Sequence, residues 1–221
     1  NFQKEFGDSV GDWVEFFDEK QFLFNVSIAE NIIFGAPMSD AFTSRNLVKN
    51  PFFTAFLDAS DLRRPLLALG REIAEQTVDI LKNIAHDKLF FEQSPIDIDE
   101  FDRYEILVRD IKDKNLHQIN DQQSMALLEL ALRFSPGKHK IAAVSDFLIH
   151  LILEGRFLFK EKVQKAHPDA IAFFKSDHYI RSQTIFNNIL FGIVKDTNPA
   201  AREKINQFMV ALLIGEDFLE K

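Results

Sequence analysis

Cysteine is absent from the 221-residue chain. That excludes disulfides, cysteine-ligated zinc and thiol chemistry together, and it fits a reducing compartment. Aromatic variety is also low, with 1 Trp and 2 Tyr beside 24 Phe. No apolar run reaches the length of about 18 residues that a membrane-crossing helix needs; the richest stretch, Phe147 to Leu153, is interrupted by His150. Basic residues are outnumbered, 26 against 34 acidic, giving a net charge of −8. That balance argues against nucleic acid and against an anionic membrane surface, since both demand a basic face.

What is present is enough apolar material for a core, 46% of the residues, which argues against disorder. The Phe residues recur at helical spacing. They read as a Phe-packed core, or in part as a docking face covered in a larger assembly. The amino terminus, Asn1-Phe2-Gln3-Lys4-Glu5, has neither an initiator Met nor the basic and apolar regions of a signal peptide, and the expectation is an excised or processed piece of a longer protein.

Helical periodicity dominates. Ser27 and Glu30 form a capping box ahead of Ile28, Ile32 and Ile33, with Gly35 and Pro37 as stops. Asn50-Pro51 and Asn198-Pro199 each read as an N-cap followed by proline in the first turn. Apolar stripes run through Leu69, Ile73, Thr77, Ile80, Leu81 and Ile84; through Phe101, Tyr104, Val108 and Ile111; through Met125, Leu128 and Leu132; and through Ile205, Phe208, Met209 and Leu212. Ile141 to Val163 reads as one helix, or as two broken at Gly155. The predicted fold is all-α, an irregular multi-helix bundle with little or no sheet. The expected division is a first repeat over 1–40, a helical insertion over 41–170 and a second repeat over 171–221, together one compact unit.

The repeat is the strongest internal signal. VEFFDEKQFLFNVSIAENIIFG, from Val14 to Gly35, aligns without a gap with IAFFKSDHYIRSQTIFNNILFG, from Ile171 to Gly192, each residue meeting the one 157 positions later. Identical pairs are Phe16/Phe173, Phe17/Phe174, Ile28/Ile185, Asn31/Asn188, Ile32/Ile189, Phe34/Phe191 and Gly35/Gly192. The other reading is chance similarity between two amphipathic helices that end in glycine. If the repeat is real, Ser27 and Thr184 cap equivalent helices, and Ile28, Ile32, Ile185 and Ile189 are buried on one face. Asn31 and Asn188 should bond to nearby backbone or a neighbouring loop. Gly35 and Gly192 should take the left-handed conformation past the helix end.

Phe22-Leu23-Phe24-Asn25-Val26-Ser27-Ile28-Ala29-Glu30-Asn31-Ile32 resembles the start of the helical subdomain of ABC-transporter ATPases, and Ser182 to Gly192 resembles the same element again. The stretch between them is similar to the insertion of a subgroup of long bacterial ABC exporters. The family's chemistry is not carried by these residues. A Walker A loop, G-x-x-x-x-G-K-[ST], is missing; Gly137-Lys138-His139 fails at its third residue. No Walker B Asp-Glu follows an apolar strand, and no Leu-Ser-Gly-Gly-Gln signature occurs. Gln21 lies too close to Phe22 to take the Q-loop role. The resemblance therefore implies no catalytic residue, cofactor or metal in this segment, with ATP and Mg held by the parent protein. It also implies the ATP-binding core and the transmembrane domain as partners, and a place at the cytoplasmic face of the membrane. The alternative is a stand-alone α-helical protein-binding module whose similarity is convergent.

Other chemistry finds little support. The six His residues, at 86, 117, 139, 150, 167 and 178, show no i, i+4 pair and read as solvated or core side chains. Asp97-Ile98-Asp99-Glu100 lacks the glycine and later Glu of a calcium loop and reads as an acidic helix N-terminus.

Overall fold

A computed structural model describes residues 2–83, 91–181, 183–195 and 199–215. Ile84, His86, Ser182 and Asn198 lie outside them. Helix dominates: α1 (Phe2–Val10), α2 (Ile28–Ile33), α3 (Pro51–Ala59), α4 (Arg63–Leu81), α5 (Phe101–Ile111), α6 (Asp121–Arg133), α7 (Pro136–His139), α8 (Asp146–Ala166), α9 (Ile185–Leu190) and α10 (Pro199–Gly215). Four three-residue strands complete the described fold: β1 (Val14–Phe16), β2 (Gly35–Pro37), β3 (Ile171–Phe173) and β4 (Gly192–Val194). The all-α expectation holds, with two small antiparallel sheets added. Among the described residues no helix is long and apolar enough to cross a membrane.

Local chemistry sets the helix ends. The Ser27 Oγ accepts the Glu30 N–H at 3.1 Å, while the Glu30 carboxylate accepts the Ser27 N–H at 2.8 Å, so the capping box forms as the sequence predicts. Asn50 caps α3 through the Phe52 N–H at 3.0 Å, ahead of Pro51. The acidic run at Asp97 to Glu100 leads into α5 through a 3-10 turn. α8 is continuous through Gly155, where a side chain would press on Leu62; glycine there serves helix packing and not a break. Gly70 plays the same part on α4: a Cβ would lie 2.0 Å from the Leu127 carbonyl oxygen of α6.

Two large apolar clusters divide most of the chain in an order unlike its sequence, and a small third one gathers Leu23, Val26 and Phe34 with Phe17, Phe174 and Ile193. One gathers α2 with α3 to α6 and α8, and includes Leu69, Ile73, Phe101, Tyr104, Ile111, Leu128 and Leu132. The other joins Phe2 and Val10 of α1 to Leu190, Ile205, Met209 and Leu212, near the two ends of the chain. Ile80 and Met125, assigned to the stripes, are exposed instead; each sits at the margin of its helix's apolar face, where solvent meets it.

The sheets join the two repeat copies reciprocally. β1 of the first copy pairs with β4 of the second, and β2 of the first with β3 of the second. Phe16 faces Gly192 and Gly35 faces Phe173. The flanking bonds repeat as well. Phe17 N–H donates to the Phe191 carbonyl (2.9 Å) and Phe174 N–H to that of Phe34 (3.1 Å). Met38 N–H donates to Ala170 and Lys195 N–H to Trp13, both at 2.8 Å. These are equivalent positions throughout, so the copies are related by a local pseudo-two-fold axis.

The glycine expectation is corrected here. Gly35 and Gly192 have no positive φ; the left-handed residues are Phe34 (φ 45°) and Phe191 (φ 46°). Glycine is needed one position later for room between strands. A Cβ on Gly35 would lie 2.8 Å from the Ala172 oxygen and 3.0 Å from the Phe173 Cα; on Gly192, 2.7 Å from the Glu15 oxygen and 3.0 Å from the Phe16 Cα. These are equivalent atoms, and backbone cannot swing aside. Gly35→Ala and Gly192→Ala should each lower stability by about 1–3 kcal/mol in urea unfolding. Gly215→Ala, with nothing within 4 Å among the described residues, should be neutral or mildly stabilising.

Candidate functional site: the cleft between the two copies

At every described position from Val14 to Pro37 and from Ile171 to Val194, the two copies pass through the same succession of strand, turn, bend, helix and strand. Each is stapled by its asparagine. Asn31 Oδ1 accepts the Leu23 N–H at 2.8 Å and its Nδ2 donates to the Leu23 carbonyl at 2.7 Å. Asn188 does the same to Ile180, at 2.7 and 2.9 Å. A side-chain amide thus mimics a strand partner across eight residues, which a carboxylate cannot do because it only accepts. The expectation that both asparagines bond to nearby backbone is met. Thr184 caps α9 as Ser27 caps α2, its Oγ1 accepting the Asn187 N–H at 3.1 Å. Asn187 stands where Glu30 would complete a capping box, so that feature belongs to the first copy alone.

On the pseudo-axis the Phe17 and Phe174 rings stack at 4.3 Å, nearly parallel. Phe34 meets Phe174, and Phe191 meets Phe17, edge-on at 5.5 Å in both cases. Edge-on contacts suit the ring quadrupole, and such pairs contribute about 0.5–1.5 kcal/mol each beyond their burial. The Phe17, Phe174 and Phe191 rings floor a cleft of about 290 Å³ whose walls come in equivalent pairs: Leu23 and Ile180, Val26 and Gln183, Glu30 and Asn187, Ala36 and Ile193. The cleft offers apolar surface with an amide and carboxylate rim, the chemistry of recognition. Among the described residues no three His, Asp or Glu side chains stand close enough to hold a metal ion.

Of the residues singled out in the sequence, Ser27, Ile28, Asn31, Ile32, Phe34 and Gly35 are buried together. Their equivalents are not all so placed. Ile189 and Phe191 are half-buried, and Ile185 is 65% exposed against 0% for Ile28. The expectation that both Ile pairs are buried is corrected for the second copy. The cause is cover, because α6 and α8 lie against α2, whereas the helices packed on α9 are α1 and α10.

Arg156 is the residue the sequence reading missed. It is 1% exposed on α8 and enters a cage of backbone oxygens on the first copy. Its Nε donates to the Asn31 carbonyl (2.7 Å), Nη1 to the carbonyls of Glu19 (2.5 Å) and Gln21 (3.0 Å), and Nη2 to Asn31 Oδ1 (3.1 Å). The guanidinium lies 4.5 Å from the centre of the Phe34 ring, a cation–π contact. Burial pushes its pKa down to about 10, opposed by Glu19 and Asp18, so it is charged at neutral pH. Lys160, one turn further on, pairs with the Glu19 carboxylate. The missed signal was a lone arginine in line with Ile152, Phe159 and Val163, an apolar stripe where a charge needs an explanation.

His139 of α7 supports the same region. Its Nδ1 accepts the Ser135 N–H at 3.0 Å, while Gly137 N–H donates to the Phe24 carbonyl at 2.7 Å. Burial, then the nearby Lys138 and Arg133 charges, push its pKa from 6.5 down to about 4.

Compared with family models, curated proteins and solved structures, the chain matches none.

Two outcomes follow from this geometry. Arg156→Leu should cost on the order of 3 kcal/mol in urea unfolding, because it strands several inward-facing carbonyls without donors. For His139, the unfolded chain takes up its proton first as pH falls. Stability should therefore decline from about pH 6.5 towards pH 4. His139→Asn, which keeps an acceptor near Nδ1, should flatten that part of a stability-against-pH curve.

Proposed function

We propose that this chain is a non-catalytic helical segment of an ABC-transporter ATPase, an interaction and coupling module that regulates or transmits motion during ATP-driven transport by the parent protein. The supporting observation is the pseudo-symmetric pairing of the two Ser/Thr-Ile-x-x-Asn-Ile-x-Phe-Gly segments. Both family-like elements adopt one conformation, and each completes the other's sheet. A unit joined in this way carries displacement from one element to the other, as a coupling segment requires. The residues between them, fastened to the first copy by Arg156, move with it.

In this reading ATP and Mg bind the parent's ATP-binding core, and the segment works against that core and the transmembrane domain at the cytoplasmic face. The first test reads the coding sequence on either side: a Walker A motif is expected upstream and a signature motif downstream, and the absence of both from the gene sinks the assignment. The second is calorimetry with Mg-ATP on the purified chain. No stoichiometric binding is expected, since no phosphate-cradling loop is present; a micromolar site would contradict the non-catalytic role.

A further inference from the structure

The copies agree in backbone and differ in cover. In the first, Phe22 and Ile28 are 8% and 0% exposed within the cluster built on α6 and α8. Their equivalents Tyr179 and Ile185 are 64% and 65% exposed. α9 is not bare all round: Phe186, Ile189 and Leu190 pack with α1 and α10. Among the described residues, the second copy lacks the counterparts of α6 and α8.

The seat for such a counterpart is built. The Lys175 carbonyl accepts the His178 N–H at 3.1 Å, as the Asp18 carbonyl accepts the Gln21 N–H at 3.1 Å. The turn that aims the Glu19 and Gln21 oxygens at Arg156 is therefore repeated, with Ser176 and His178 in their places. Asn188 repeats the Asn31 staple, and Phe191 repeats the left-handed Phe34 on whose ring the guanidinium rests. Among the described residues no side chain donates to the carbonyls of Ser176, His178 or Asn188. Lys175 and Ser176 replace Asp18 and Glu19, so the seat keeps the carbonyl geometry without the two carboxylates that assist Arg156. Lys175 places a cation where Asp18 stands, so recognition there rests on the carbonyls and the apolar face.

We propose that this face of the second copy is a docking site for an amphipathic helix of another polypeptide. That helix presents an arginine among apolar residues four before, three after and seven after it, as Ile152, Phe159 and Val163 stand to Arg156. The inference rests on the internal symmetry and is independent of the transporter reading.

The probe is a fluorescein-labelled peptide of residues 146–166, the α8 sequence, titrated against the full chain by anisotropy. Saturable binding is expected. Ile185→Glu in the protein should weaken it at least about tenfold, the scale of burying an isoleucine. The peptide variant R156Q should weaken it about tenfold, the scale of hydrogen bonds to a charged group. Tyr179→Glu, on the same face, serves if Ile185→Glu fails to fold. Ile106→Glu, at an exposed site on α5, should change nothing. Absence of saturable binding overturns the proposal. So does binding that survives either the face substitution or R156Q, including displacement of the protein's own α8, and so does equal weakening by Ile106→Glu.

Discussion

The reciprocal pairing of four short strands is the constraint on which the site depends. Three-residue strands cannot stand as sheets by themselves, and an isolated two-stranded ribbon is marginal in water. Here each strand is held because its partner belongs to the other copy, and both ladders close around one stacked pair of rings, Phe17 and Phe174. The flanking helices α2 and α9 enter and leave these ladders through a left-handed phenylalanine and then a glycine. Phenylalanine in that conformation carries a steric cost of about 1–2 kcal/mol. The turn is kept because it aims Phe34 and Phe191 at the rings of the axis.

Arg156 gives the assembly its asymmetry. A guanidinium has five donors in a fixed plane, and this one spends its bonds on backbone oxygens from two segments of the first copy, at 18–21 and at 31, and on the Asn31 side-chain oxygen. Carbonyls do not titrate, so the bonds that Arg156 makes to them need no ionised acceptor, and the Lys160–Glu19 ion pair adds a charged tie beside them. One long helix thereby becomes part of one copy only, and on the second copy Tyr179 and Ile185 are left exposed among the described residues.

Much was legible in the sequence. The helix starts at Ser27, Asn50 and Thr184 follow from side-chain oxygens capping backbone N–H groups, which is local chemistry. The stripes through Leu69 to Leu81 and Phe101 to Ile111 follow from helical period and burial. The gapless alignment of Val14–Gly35 with Ile171–Gly192 identified two segments of like conformation, since equal backbones demand equal residues where the chain turns. The function of the glycines was misread: glycine after a helix ordinarily signals a left-handed residue, yet at Gly35 and Gly192 the demand comes from a strand distant in sequence.

What the sequence by itself determined was the helical class, the caps and the existence of two like elements. These depend on contacts within a few residues or on a repeated pattern. Only the tertiary structure decided which strand pairs with which, that Arg156 is a buried tie, and that Ile28 is sealed while Ile185 is exposed. The last pair shows the reason. The two isoleucines occupy the same place in the same motif, and what distinguishes them is a helix more than a hundred residues away in the chain from one of them, a fact that no local pattern around either residue contains.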